Sequence, residues 1–329
     1  VLVFNYPTIA AVTARVAAVV GEPSDVVYHS ATRTIDNGFM NSQIVFVGLA
    51  AGRCTANGFK DSVTTTPKDR WDTDIDIDDS TCSGSVLNPR FSVFMENIVL
   101  FDAIAFEIRD IEAVSIDPTH RLLTEAASET LNPLLQPASS SFAIGVYVGA
   151  VSTHFASLHP TFLPTAYSAT GQQPSVASGR ISYCFSLVAP AITIDTACSS
   201  SLVAVHMANL HIRLGRPFGI HVDTAMIGGA HLMLSQQQSR LCHMANMLAE
   251  DGRCKTLDAN ADGYVRGEAA HTVAAANHEA QLNNDTKIKR EHVVIILVGA
   301  AVNQDGRSGS LTAPRGPSQG DVINLALLG

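Results

Sequence analysis

The stretch Pro190-Ala-Ile-Thr-Ile-Asp-Thr-Ala-Cys-Ser-Ser-Ser-Leu-Val-Ala-Val-His206 decides how this chain is read. Ile192, Thr193 and Ile194 are β-branched and predict a short buried strand. Ser199, Ser200 and Ser201 offer hydroxyls suited to capping a helix. Leu202, Val203, Val205 and His206 continue with helical spacing. Cys198 therefore stands where a strand turns into a helix. Unpaired backbone N–H groups and the positive end of the helix dipole meet at such a place. Positions of this kind lower thiol pKa values from about 8.5 toward neutrality and free a thiolate for attack. The same N–H groups can stabilise the oxyanion of an attacked thioester. The other reading of Cys198 is an inert buried thiol, since free cysteine is among the most buried residue types. A turn of small residues at a helix start suits packing poorly and a nucleophile well.

Composition sets the frame. The chain has 329 residues, 46% hydrophobic and 16% charged, enough for one large or two ordinary domains with a substantial core. Net charge is −9 with no basic run, which argues against a nucleic-acid surface. Six cysteines show no C-x-x-C pair, as expected for reduced thiols in the cytoplasm rather than a disulfide framework. No apolar run has the length of a membrane span, and no signal peptide is visible. Alternating strand and helix patterns imply an α/β protein.

Asp195-Thr196-Ala197-Cys198-Ser199-Ser200-Ser201 resembles the active-site motif of β-ketoacyl synthases, specifically the ketosynthase domains of modular type I polyketide synthases. Further segments support the resemblance in the right order. They are Asp117-Pro-Thr-His-Arg-Leu-Leu123, Gly179-Arg-Ile-Ser-Tyr183, Asp251-Gly-Arg-Cys-Lys255, Asp262-Gly-Tyr-Val-Arg-Gly-Glu268 and Ala301-Val-Asn-Gln-Asp-Gly306. Leu311-Thr-Ala-Pro314 and Gly316-Pro-Ser-Gln319 follow. Arg70-Trp71-Asp72 and the segment from Leu100-Phe101-Asp102 to Ile111 also fit that family, and the likeness runs over about residues 41 to 329.

The resemblance implies a thiolase-like layered α/β fold, with the N-terminal half and the start of the C-terminal half present. It implies that Cys198 is the catalytic residue, taking an acyl chain from a carrier-bound thioester. A malonyl-type extender then loses carbon dioxide, and its carbanion attacks the acyl thioester to give a β-ketoacyl thioester. No cofactor or metal is held directly; substrates ride on the phosphopantetheine of acyl carrier domains. A homodimer is expected, paired through the strand around Ala191 to Ile194. The family's two histidines lie in His-Gly-Thr-Gly-Thr and Asn-Ile-Gly-His motifs, and none of the twelve histidines here sits in either. The chain alone is therefore expected not to condense. The alternative function is a non-catalytic scaffold that kept the fold and the dimer surface.

Along the chain, Ile9, Val12, Val16 and Val19 or Val20 share one helical face after Pro7 and Thr8. Residues 1–20 resemble the last helix of an acyl carrier domain, whose phosphopantetheine serine would lie upstream. Residues 21–43 read as a linker and 44–329 as the ketosynthase domain, incomplete at its C-terminus. Ile44–Leu49, Ile144–Gly149, Val222–Leu234 and Val293–Val302 read as strands, with Gly228-Gly229 marking a close backbone approach. Gly52-Arg53-Cys54-Thr55 departs from the family's Cys-Arg-Phe-Pro. Asp117 is a helix N-cap with Pro118 in the first turn. Glu125 and Glu129 share a helical face and read as solvated or locally paired.

Two acidic segments suggest calcium only superficially. Asp72 to Asp79 alternates carboxylates without the turn glycine of an EF-hand. Asp258-Ala-Asn-Ala-Asp-Gly263 fits the loop's start, but the twelfth position is Ala269 and Glu268 comes one residue early. Gly267-Glu-Ala-Ala-His271 stands where the family has Gly-Glu-Gly-Ala-Gly. The strand that should follow has become Ala274-Ala-Ala-Asn-His278, which is expected to pack poorly.

Overall fold

The computed structural model describes residues 44–53, 61–73, 89–132, 134–135, 143–151, 155, 158, 165–215, 219–277 and 293–328. The expected carrier helix at 1–20 and linker at 21–43 lie outside the described residues, as do residues 74–79 and His278.

A six-stranded mixed sheet forms the middle layer. Its strands are β1 (Ile44–Arg53), β4 (Ile144–Ala150), β5 (Ala191–Ile194), β6 (Thr224–His231), β7 (Ala269–Asn277) and β8 (Val293–Leu297), in the order β5-β4-β6-β7-β1-β8. A short antiparallel pair, β2 (Thr64–Thr65) with β3 (Phe91–Ser92), stands apart from it. β4 runs parallel to β5 and β6; β7 turns antiparallel to β6 and β1. Parallel strands covered on both faces read as continuous apolar runs, and all seven residues of β4 are buried.

The pleat divides β4 between two helical layers. Val146 and Val148 face α2 (Pro118–Leu131), which presents Leu123, Ala127 and Leu131, and α4 (Val176–Cys184), which presents Ala177 and Ile181. The short helices α1 (Asp110–Ala113) and α3 (Ser168–Gly171) precede these two. Tyr147 faces the opposite way, toward Ala204, Ala208 and Ile212 of α5 (Ser200–Leu214). Two further helices, α6 (Gln236–Met244) and α7 (Gly316–Leu327), follow β6 and β8. Asp117 caps α2 as expected, its Oδ1 accepting from the Thr119 N–H at 2.7 Å. At Gly306 (φ 64°) the Asn303–Gly306 turn takes the left-handed conformation that glycine tolerates.

Five strand expectations need correction. Ala274, Ala275 and Ala276 pack well: they are 0–1% exposed in β7, paired with β1 on one side and β6 on the other. Small side chains let both helical layers approach the sheet there, and Thr130 of α2 meets the hydroxyl of Thr272 at 2.7 Å. β5 is half-buried because it is the sheet's edge. β8 ends at Leu297, and Ile296 and Val298 are 48% and 71% exposed, so the apolar run to Val302 is not one buried strand. β6 is likewise shorter than Val222–Leu234, and β1 runs beyond Leu49 to Arg53.

The acidic loop near residue 260 spends its carboxylates locally. Asp258 Oδ1 accepts from the Asn260 N–H at 2.8 Å, and Asp262 Oδ1 meets Lys255 Nζ at 2.7 Å. That arrangement is an Asx turn beside a surface ion pair.

Candidate active site

β5 ends at Ile194 and α5 begins at Ser200, so Cys198 occupies the connecting turn as the sequence indicates. The thiol is exposed, which removes the reading of an inert buried cysteine. Ala197, immediately before it, has φ 55°. A side chain with a Cβ rarely adopts this left-handed conformation, and it persists only when its surroundings enforce it. Here three bonds do so. The Ala197 N–H donates to Asp195 Oδ1 at 3.1 Å. Ser200 Oγ accepts from the Thr196 N–H at 2.9 Å and donates to the Ala197 carbonyl at 2.6 Å.

The serines therefore act differently from simple caps. Ser199 is the N-cap but its side chain caps no helical N–H; its Oγ turns back to the Thr196 carbonyl at 2.8 Å. The Ser199 and Ser200 N–H groups are also engaged, reaching the Thr196 and Ala197 carbonyls at 3.4 and 3.2 Å. The expected cradle of unpaired N–H groups is thus partly occupied by the turn itself.

Two glycines seat this turn on the sheet. A Cβ on Gly149 would lie 2.6 Å from the Ser201 nitrogen, and one on Gly229 would lie 2.2 Å from Ser201 Oγ. The close approach expected at Gly228-Gly229 is real: Gly229 meets the first turn of α5, and Gly228 meets Thr272 and Leu123.

Cys198 lines a cavity of about 940 Å³. Ile227, Leu232, Met233, Val265 and Val273 give it apolar walls; Asp195, His231, Gln238, Arg266 and His271 add polar groups. Cys242 and Tyr264 line it too. Burial, with a hydrogen bond to Cys242 next in weight, pushes the Tyr264 phenol up to about 12. Burial, helped by Arg266, pushes His231 down to about 4, so this imidazole is neutral near pH 7. Arg266 meets His231 Nε2 at 3.0 Å and donates to Ser239 Oγ at 2.8 Å. These residues carry no nucleophile-type motif, and sequence reading assigned them no role in the site. The signal was available for Asp195, Tyr264, Val265 and Arg266, which fall inside segments quoted for their resemblance.

A buried ion pair supports the cavity wall. Arg70 forks onto Glu268, Nη1 to Oε1 at 2.8 Å and Nη2 to Oε2 at 2.9 Å. Glu268 also accepts the N–H groups of Met95 and Met233 at 2.8 and 2.7 Å. Arg70 donates in turn to the Met95 and Met233 carbonyls and lies over the Phe94 ring, against which Trp71 packs edge-on.

A layered α/β sheet with an exposed cysteine at a strand-to-helix turn, opening on an apolar cavity, defines a protein of the thiolase-like class. Residues 57–279 match the family described as "Beta-ketoacyl synthase, N-terminal domain", and the chain belongs to the β-ketoacyl synthase family, with the ketosynthase domains of polyketide synthases as its relatives. It is 37% identical over 288 residues to a phenolphthiocerol/phthiocerol polyketide synthase polypeptide of Mycobacterium tuberculosis, covering 85% of this chain and 12% of that protein. A second polypeptide of the same synthase from that organism is 35% identical over 285 residues, covering 85% of this chain and 17% of that protein. Among solved structures, the ketosynthase from module 6 of the bacillaene synthase of Bacillus subtilis 168 superposes with a TM-score of 0.71 at 29% identity, over 85% of this chain and 47% of that one. An oxazolomycin ketosynthase domain of Streptomyces albus JA3453 gives 0.70 at 25% identity, over 86% and 50%. The chain thus spans about half of these ketosynthases and a small part of the curated relatives.

Proposed function

We propose that Cys198 is the acyl-accepting nucleophile of a polyketide ketosynthase. The observation that carries this reading is an exposed thiol on a braced turn at the start of a fifteen-residue helix, opening on an apolar cavity. The sulfur attacks the carbonyl of a carrier-bound acyl thioester, the pantetheine thiol leaves with the proton, and an acyl-enzyme remains. The positive end of α5 favours the oxyanion that forms on the attacked carbonyl. The apolar walls accommodate the acyl chain.

In the complete domain a malonyl-type extender loses carbon dioxide, and its carbanion displaces Cys198 from the acyl group. Acyl carrier domains supply both thioesters on phosphopantetheine. The two histidine motifs of that step are not in this sequence, so we expect this chain alone to acylate itself without forming product. Within the described sheet β5 is an edge strand beside the nucleophile, paired with β4 on one side, and such an edge favours pairing with another strand; we assign it to the homodimer contact. We place the protein in the cytoplasm, on its unpaired cysteine pattern; among the described residues no helix is long and apolar enough to cross a membrane.

Mass spectrometry after exposure to an acyl thioester tests the reading. Acylation of Cys198 is expected. Modification of Cys54, Cys82, Cys184, Cys242 or Cys254 with Cys198 untouched would overturn it and favour a non-catalytic scaffold.

A further inference from the structure

The cavity beside Cys198 contains one lysine or arginine among its described lining residues, Arg266. Half-buried Arg213 bonds to the Asn209 amide oxygen and the Val298 carbonyl, but Arg70 and Arg180, with side chains 10% and 7% exposed, have the carboxylate partners Glu268 and Glu112. Arg266 does not. Its bonds go to Ser239 Oγ and to His231 Nε2, both neutral acceptors. Burial keeps His231 uncharged, so it relays hydrogen bonds without adding a second cation. Two of the five guanidinium N–H groups are thereby used, and the positive charge stays uncompensated on a largely apolar wall. A partly desolvated charge in such a place gains strongly from a counter-ion. The one carboxylate among the described lining residues, Asp195, is engaged through Oδ1 with the Ala197 N–H at the nucleophile turn. Arg266 and Cys198 line the same cavity.

We propose that Arg266 makes this cavity a carboxylate-binding site, drawing carboxylate-bearing ligands toward the Cys198 sulfur in preference to neutral ones of the same size. The inference rests on the reading of Cys198 as the reactive thiol. A guanidinium accepts either a carboxylate or a phosphate in a fork. A single cation on an apolar wall balances the single charge of a carboxylate and leaves a phosphate dianion half-compensated, which favours the carboxylate.

The test compares alkylation of Cys198 by iodoacetate and by iodoacetamide, which differ in one negative charge. In the wild-type chain the iodoacetate-to-iodoacetamide rate ratio should exceed that of glutathione under the same conditions. Arg266→Gln should lower the ratio roughly fivefold, the size of one nearby charge acting through a partly solvated medium. Arg266→Lys should retain most of the preference, and added salt should erode it in the wild type but not in Arg266→Gln. Malonate should slow labelling by iodoacetamide; protection by inorganic phosphate alone would overturn the carboxylate assignment. A ratio unchanged by Arg266→Gln, with Cys198 still labelled, overturns this inference and leaves the nucleophile reading intact. Labelling of Cys198 by neither reagent overturns both.

Discussion

Glu268 and Arg70 form a two-bond fork although 198 residues separate them along the chain. The Glu268 side chain is 0% exposed and that of Arg70 is 10% exposed. The pair ties the segment that follows β2 to the segment that leads into β7. The Met95 and Met233 N–H groups fill further acceptor sites of the same carboxylate.

Removing one partner leaves the other charge buried without its counter-ion, a change that typically costs about 3–5 kcal/mol. Glu268→Gln and Arg70→Met should each fall in that range by urea denaturation. The double variant should cost less than the two single losses combined. Strict additivity in that cycle would show that the fork contributes no coupling.

Ser200 holds the backbone of the nucleophile turn. Ser200→Ala should destabilise by about 1–3 kcal/mol, because the Thr196 N–H loses its acceptor and the Ala197 carbonyl its donor. Iodoacetamide labelling of Cys198 should slow at the same time. Ala197→Gly in that background should recover part of the stability, since glycine occupies φ 55° without the Cβ penalty. Recovery of stability without recovery of the labelling rate is the expected pattern. Unchanged labelling in Ser200→Ala would remove Ser200 from the positioning of Cys198.

Gly149→Ala and Gly229→Ala should both lift the first turn of α5 off the sheet. The nearest atoms for the new Cβ are the Ser201 nitrogen in one case and Ser201 Oγ in the other. Backbone yields less readily than a hydroxyl rotor, so Gly149→Ala should be the more damaging, at about 1–3 kcal/mol or above. Thermal denaturation of the pair gives the order; equal midpoints would contradict it.

His120 makes stability depend on pH. Burial pushes its imidazole down from 6.5 to about 4 in the folded chain, with Arg180 adding to the shift and Asp117 opposing it. A folded pKa below the unfolded one means the unfolded state takes up the proton first. The stabilisation is fully present above about pH 6.5 and is lost progressively as pH falls toward 4, by at most roughly 3 kcal/mol. His231 is shifted the same way and adds to the slope. Urea midpoints from pH 7 to 4.5 should fall for the wild type and flatten for His120→Gln. Parallel curves for the two would exclude His120 as a source of the slope.

Local chemistry was legible in the sequence alone. The Cys198 turn, the Asp117 cap and the glycine approach in β6 each depend on residues adjacent in sequence. What sequence missed is long-range or a matter of volume. The Arg70–Glu268 fork joins distant segments, so neither residue declares its partner. The alanines of β7 read as weak packing because their small volume is a virtue only when two helical layers close on them. Val293–Val302 read as one buried strand because apolar content does not reveal that its sheet position is an edge. Ser199 and Ser200 read alike, and only the fold of the turn shows that the Ser199 hydroxyl bonds Thr196 alone while that of Ser200 ties the Thr196 N–H to the Ala197 carbonyl.

The placing of β1 has a consequence in time. This strand is made early, yet within the described sheet its two partners are β7 and β8, from residues 269–277 and 293–297. At a synthesis rate of roughly 5–20 residues per second, β1 waits about ten to fifty seconds for a neighbour. Proteolysis of ribosome-held chains should find Ile44–Arg53 cleavable in those that stop before β7 and protected once β8 has emerged; early protection would mean that another segment shelters it. During that interval a ten-residue strand is open to any exposed edge it meets, including the same strand on a neighbouring nascent chain. Sparse ribosome spacing or a chaperone that covers the strand should therefore raise the yield of folded protein more than any substitution in the finished core.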